Sequence, residues 1–208
     1  MCAESDPLDH RSARYLPVVI HKGLDTGFKL DQLWHALRGD MERSKRPALA
    51  SLAKILVDAG TPYAVIGGVA LQIHQEDPRT TLFIDLAVKR IDDLPRDRLT
   101  AGGFAFVGRF EHSENWKSAD GIPIQFTDDP ALHVALGRPI AVELDGVTIR
   151  VLAKPDLLRE KLRAGSDPAR RRSKRMQDLA DVQALIEAEP TLADALTPEQ
   201  RAMLDRLV

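Results

Sequence analysis

Apolar and polar positions alternate along this chain in blocks whose spacing changes from helical to extended and back. Val18, Val19 and Ile20 form a short apolar run that predicts a strand. Leu30, Leu33, Trp34, Leu37 and Met41 then recur at helical spacing. After the polar break from Arg43, Pro47 suits the first turn of a second helix, with Leu49, Leu52, Leu56 and Val57 as its inner face and Gly60 at its C-cap. Tyr63 to Ile66 reads as a strand, Gly67-Gly68 as a tight turn, and Val69 to Gln75 as a short helix. Thr81 to Val88 is almost continuously apolar, as in a strand covered on both faces. A helix is expected over Asp92 to Ala101, strands over Phe104 to Phe110 and Ile122 to Thr127, and a short helix from Asp129-Pro130 to Leu136. Asp145-Gly146 is a strong hairpin signal between Ile140–Leu144 and Val147–Leu152.

The remainder reads as helical. Pro155 opens one helix carrying Leu157, Leu158 and Leu162, and Met176 to Ala188 forms another with Leu179, Val182 and Leu185 along one side. Thr197-Pro198-Glu199-Gln200 has the form of a capping box before a last helix. The expected class is α+β, a small mixed sheet flanked by helices and followed by a helical C-terminal part. Three parts are expected: an extension with one helix over 1–46, a core over 47–153, and the helical part over 154–208.

Composition narrows the function classes. With 29 Lys plus Arg against 31 Asp plus Glu, the 208-residue chain has a formal net charge of −2, so it is not a globally basic nucleic-acid binder. Its 44% hydrophobic and 29% charged residues are those of an ordinary globular chain. Cys2 is the only cysteine, which excludes disulfides and cysteine zinc clusters, and the six histidines show no ligand spacing. The polar N-terminus does not read as a signal peptide, and no apolar run is long enough for a membrane span. The expectation is a soluble, cytoplasmic protein without a membrane partner.

Three features are candidates for chemistry. Gly67-Gly68, between strand and helix, would let backbone amides approach a phosphate, or would simply make a tight turn. Asp85 sits in an apolar strand, where a carboxylate needs a cation, a metal or solvent; Arg79 or Lys89 could supply the pairing. Arg170, Arg171, Arg172, Lys174 and Arg175 place five cations within six positions, after Lys161 and before Asp178 and Asp181. That segment could grip triphosphate or RNA backbone, or be a solvated link between helices.

The order of these features resembles the nucleotidyltransferase superfamily, specifically its AbiEii-like group of minimal nucleotidyltransferases. The stretch YAVIGGVALQIHQEDPRTTLFIDLAV is similar to that group's strand, Gly-Gly, helix and R-x-T-x-D-x-D block. Lys161 and the K/R-rich link into Asp178-x-x-Asp181 follow in the expected order, and the resemblance spans roughly residues 50–188. It implies two-metal nucleotidyl transfer with Mg²⁺, in which paired carboxylates hold metals on either side of an in-line displacement at the α-phosphate. It further implies Asp85 as catalytic and metal-binding, and Gly67, Gly68, Lys161, Arg175 and Asp178 as the nucleotide or phosphate site. Asp178 would orient Lys161 or Arg175, Arg79 would tie the strand entry together, and Asp181 would face a neighbouring helix.

The sequence departs from the family pattern at the metal positions. The first Asp of D-x-D falls on Phe83, and the third carboxylate falls on Gln125. Asp129 lies four residues beyond Gln125, about 13 Å along an extended strand, which leaves Glu143 as the best candidate for a migrated ligand. The leading expectation is therefore a catalytically degenerate nucleotidyltransferase-fold protein that binds a nucleotide, RNA or a protein partner. The alternatives are an active Mg²⁺-dependent enzyme transferring NMP from NTP to tRNA or protein, an RNA-binding module built on Arg170–Arg175, and a scaffold that oligomerises through the Trp34 helix. The resemblance also implies a partner protein of the toxin–antitoxin kind.

Overall fold

The structure, a computed structural model, describes residues 22–37, 44–75 and 79–207. The expected strand at Val18–Ile20, the polar arm before it and Met41 lie outside the described residues. Helix α1 (Lys22–Leu37) buries Leu24, Phe28 and Asp31. The stripe read from the sequence is its outer side instead: Leu33, Trp34 and Leu37 are exposed. Asp31 can occupy the buried side because its charge is answered there. Lys45 Nζ donates to it, as do Gln72 Nε2 at 3.0 Å and the Thr81 N–H at 2.8 Å.

Helix α2 (Lys45–Asp58) starts at Ser44, whose hydroxyl accepts from the Arg46 N–H at 3.2 Å, and buries Leu49, Leu52 and Leu56. The buried strand β1 (Tyr63–Ile66) runs straight into α3 (Gly67–His74). Strand β2 (Ile84–Val88) begins three residues later than its apolar sequence suggests. The cause is the same buried ion pair. The Thr81 N–H is spent on Asp31 and the Thr81 carbonyl accepts from Lys45, so this backbone does not join the sheet.

The helix expected from Asp92 divides into a 3₁₀ turn over Ile91–Asp93 and α4 (Arg96–Ala101), with Pro95 between them. Pro95 has no N–H with which to continue the first turn. Strands β3 (Ala105–Phe110), β4 (Ser113–Lys117) and β5 (Pro123–Thr127) form a meander. The sequence SENWK hides β4 because it reads as polar. Its inward residues are Glu114 and Trp116, and Arg96 engages the Glu114 carboxylate through Nε (3.2 Å) and Nη2 (2.8 Å) while the Trp116 indole donates at 2.9 Å. The segment from Pro130 forms two short 3₁₀ turns, not one helix. Strands β6 (Ile140–Leu144) and β7 (Val147–Val151) make the expected hairpin, with Asp145 and Gly146 both at positive φ (53° and 76°), as a type I′ turn requires.

The seven strands form one mixed sheet in the order β3-β4-β5-β2-β1-β7-β6. β2 runs parallel to β5 and antiparallel to β1, and β1 is parallel to β7. Helices α5 (Lys154–Ser166), α6 (Arg172–Ala188) and α7 (Pro198–Leu207) complete the chain. The last opens with a reciprocal capping box, in which the Thr197 N–H donates to Gln200 Oε1 (3.0 Å) and the Gln200 N–H to Thr197 Oγ1 (3.2 Å). No described helix is long and apolar enough to cross a membrane. The architecture is the α+β arrangement expected from the sequence.

Candidate functional site

Where β1 gives way to α3, the backbone turns at Gly67 with φ of +65°, a left-handed conformation that disfavours a side chain. Space forbids one as well, because a Cβ on Gly67 would strike the Asp85 carboxylate. A Cβ on Gly68 would stand 2.5 Å from Thr81 Oγ1. The Gly pair thus lets the N-terminus of α3 press against the lead-in and first turns of β2, and it leaves both glycines lining a cleft of about 470 Å³.

The sheet forms one side of this cleft. Phe83 and Asp85 alternate onto the same face, and Asp85 lies opposite Gln125 of β5 in parallel register, with Thr127 two residues further along. All four line the cleft. Burial pushes the Asp85 carboxyl up to about 6, against the opposing pull of Lys161, Arg170, Lys174 and Arg79.

The helices form the other side. Lys161 on α5 is buried and its ammonium lies 2.8 Å from both Asp178 Oδ1 and Asp181 Oδ2 of α6. Arg79 grips Asp181 with two hydrogen bonds, of 2.7 and 2.8 Å, and Arg170 Nε reaches Asp178 Oδ2 at 2.8 Å. The charges alternate along the chain Arg79–Asp181–Lys161–Asp178–Arg170. Burial favours the neutral acid at Asp181, but the Arg79 hydrogen bonds and Lys161 outweigh it and hold its carboxyl below the usual range. Asp181 faces the neighbouring helix α5, as expected, and through Arg79 it also links that helix to the entry of β2.

The basic segment divides. Arg170 and Lys174 line the cleft, Arg171 and Arg172 are exposed at the start of α6, and Arg175 turns away to donate to the Gly165 carbonyl at 3.1 Å. Arg175, expected at the phosphate, is therefore not part of the cleft wall. Glu143 is not there either. It lies on the edge strand β6, three strands from β2, or roughly 14 Å at ordinary strand spacing, so it cannot share a ligand with Asp85.

Sequence reasoning missed Glu160 and Arg163. Both line the cleft, and Arg163 Nη2 bonds Glu160 (2.8 Å) and Asp129 (2.6 Å). Their i, i+3 spacing around Lys161 was the available signal, but charges at that spacing are ordinary on any solvated helix.

The donor set does not fit the divalent metals that the fold implies. On the sheet face it offers one carboxylate, an amide, a hydroxyl and a phenyl ring, short of the charge a Mg²⁺ site draws on. Of the other cleft carboxylates, Asp129 and Glu160 are engaged by Arg163, Asp178 by Lys161 and Arg170, and Asp167, past the end of α5, accepts from the Ala169 N–H at 2.9 Å. Among the described residues no group of three or more His, Cys, Asp or Glu side chains could hold a metal ion.

A search of curated proteins found no match. Among solved structures, an antigenic nucleotidyltransferase-like protein from Paracoccidioides brasiliensis is similar with a TM-score of 0.52 and 20% identity, over 77% of this chain and 91% of that one. That likeness shows the fold. JHP933 from Helicobacter pylori aligns with a TM-score of 0.49 at 17% identity, over 79% of this chain and 76% of that one. ANT(2")-Ia in complex with adenylyl-2"-tobramycin aligns at 0.49 and 12% identity, over 79% and 99%. Residues 51–207 match the family described as "Nucleotidyl transferase AbiEii toxin, Type IV TA system". That match takes in β1, the Gly pair, both sides of the cleft and the ion network on α5 and α6, and the chain accordingly belongs to the AbiEii nucleotidyl transferase family.

Proposed function

We propose that this chain is a catalytically degenerate member of its family, whose cleft binds a nucleotide through its phosphates without a metal ion. The observation that supports this reading is the sheet side of the cleft, where Phe83 and Gln125, which the resemblance aligns with two of the three metal carboxylates, flank Asp85 and leave it the only carboxylate on that side among the described residues. Two-metal transfer needs ligands for two cations at once. With Glu143 on a distant strand, no second carboxylate among the described residues joins Asp85 on the sheet side of the cleft.

Anion binding has better support. Lys174 lines the cleft and makes no ion pair among the described residues, and Arg170 is paired on one side only and partly exposed. The N-terminus of α3 brings backbone amides of the Gly pair to the same space. Lys161 and Asp178 have a positioning part in this account: Lys161 holds α5 against α6, and Asp178 aims Arg170 along the cleft. Arg171 and Arg172 extend the positive surface outward, where RNA backbone could follow. The family's description as the toxin of a toxin–antitoxin system supports a protein partner as well.

The test is calorimetric titration of the four ribonucleoside triphosphates, once with Mg²⁺ and once with EDTA, alongside an assay for transfer of labelled nucleotide. Saturable binding in EDTA and no transfer are expected. Binding that appears only with Mg²⁺, or transfer that Asp85→Asn abolishes, would overturn the proposal.

A further inference from the structure

The most unusual side chain in the cleft is Phe83. A large apolar ring there is 46% exposed although the surroundings are polar and charged. It precedes the first residue of β2 that pairs with β5, and nearly half of the residue is open to the cleft. Gln125 lies one strand across and two residues along, roughly 8 Å away by strand spacing. Its amide makes no side-chain hydrogen bond among the described residues, so both a donor and an acceptor are available. The cations Arg170 and Lys174 border the same space from α6. An exposed aromatic ring, an unused amide and a cationic rim together suit a planar ring with a hydrogen-bonding edge that also carries phosphate.

We propose that the sheet side of the cleft holds the base of the nucleotide, stacked on Phe83 with its edge toward Gln125 and its phosphate toward Arg170 and Lys174. This rests on the phosphate-binding reading above. It gives the two departures from the metal motif one shared role, because the residues that cannot hold a cation are the ones that suit an uncharged heteroaromatic ring. Stacking on an aromatic side chain tolerates any base, so Phe83 supplies affinity and Gln125 supplies preference among bases.

The experiment compares AMP, CMP, GMP and UMP with ribose 5-phosphate, all titrated against the full chain in EDTA. At least one nucleotide should bind about tenfold or more tightly than ribose 5-phosphate, the range that stacking provides. Phe83→Ala should reduce that advantage to near one while leaving ribose 5-phosphate affinity unchanged, and Phe83→Tyr should keep it. Fluorescence of 2-aminopurine riboside monophosphate should be quenched by the parent chain and by Phe83→Tyr, and not by Phe83→Ala. Because Phe83 is half exposed, these variants should keep the parent's circular dichroism spectrum; Phe83→Leu, which retains apolar bulk, checks that the loss follows the aromatic face. Equal affinity for nucleotides and ribose 5-phosphate would overturn the stacking role and leave phosphate binding intact. Failure of every compound, triphosphates included, would overturn both.

Discussion

The two sides of the cleft treat charge in opposite ways. On the sheet side, Phe83, Asp85, Gln125 and Thr127 present one carboxylate among four positions. On the helix side, Arg79, Asp181, Lys161, Asp178 and Arg170 present charges that are each bonded to another. Clustered carboxylates on the sheet would repel one another without a metal between them, so that side has no reason to keep its charges once metal is not used. The helix side is different. Its ions compensate one another without any ligand and tie α5, α6 and the entry of β2 together. The difference teaches that, on the proposed reading, a family signature survives for structural reasons on one side of a site while the metal carboxylates are missing from the other.

The strongest way to break this comparison is to remove the cation at the centre of the helix side. Lys161→Met leaves Asp178 and Asp181 buried with one partner each, and should lower unfolding free energy by about 3 kcal/mol or more, read from urea denaturation. A cost near zero would mean that the network does not hold the helices.

On the sheet side the sign reverses. Asp85 titrates at about 6 in the folded chain because it is buried, against an ordinary value near 3.9. Its folded pKa is raised, so its contribution to stability is full below about pH 4 and is lost as pH rises through about 6. Asp85→Asn removes that penalty and should be more stable than the parent by roughly 2–3 kcal/mol at pH 7.5, with no difference at pH 3.5. Equal stability at both pH values would contradict the burial of this carboxyl.

Smaller effects sharpen the contrast. Lys174→Gln should leave stability within about 0.5 kcal/mol, yet weaken triphosphate binding and flatten its dependence on salt, measured by titration at several ionic strengths. Arg175→Gln, which gives up only the bond to the Gly165 carbonyl, should leave binding unaltered in the same titrations.

Much of this fold is written in short-range chemistry. The β1–Gly-Gly–α3 turn, the Asp145-Gly146 hairpin, Pro155 in the first turn of α5 and the Thr197 capping box are each set by residues within a few positions, and each stands where the sequence places it. The misses share a long-range cause. β4 was hidden because the burial of Glu114 depends on Arg96, 18 residues away. β2 starts late because Asp31 and Lys45 capture the backbone of Thr81. The packed side of α1 was misread for the same reason, since only those partners make a buried Asp31 acceptable.

The site divides likewise. The resemblance brought Gly67, Gly68, Asp85, Lys161 and Asp178 together, and all of them line the cleft. Neither the turning of Arg175 toward Gly165 nor the capture of Asp129 and Glu160 by Arg163 could be read in sequence, because both depend on how α5 sits against its neighbours.

The central claim is that the sheet side cannot hold a metal ion because of Phe83 and Gln125. The most direct measurement is Mn²⁺ binding followed by the electron paramagnetic resonance of the free ion, for the parent chain and for Phe83→Asp/Gln125→Asp. The parent chain, without nucleotide, is predicted to leave the free-ion signal at its protein-free level, whereas the double substitution depletes it in a saturable way. Saturable Mn²⁺ binding by the parent chain that is lost in Asp85→Asn would contradict it.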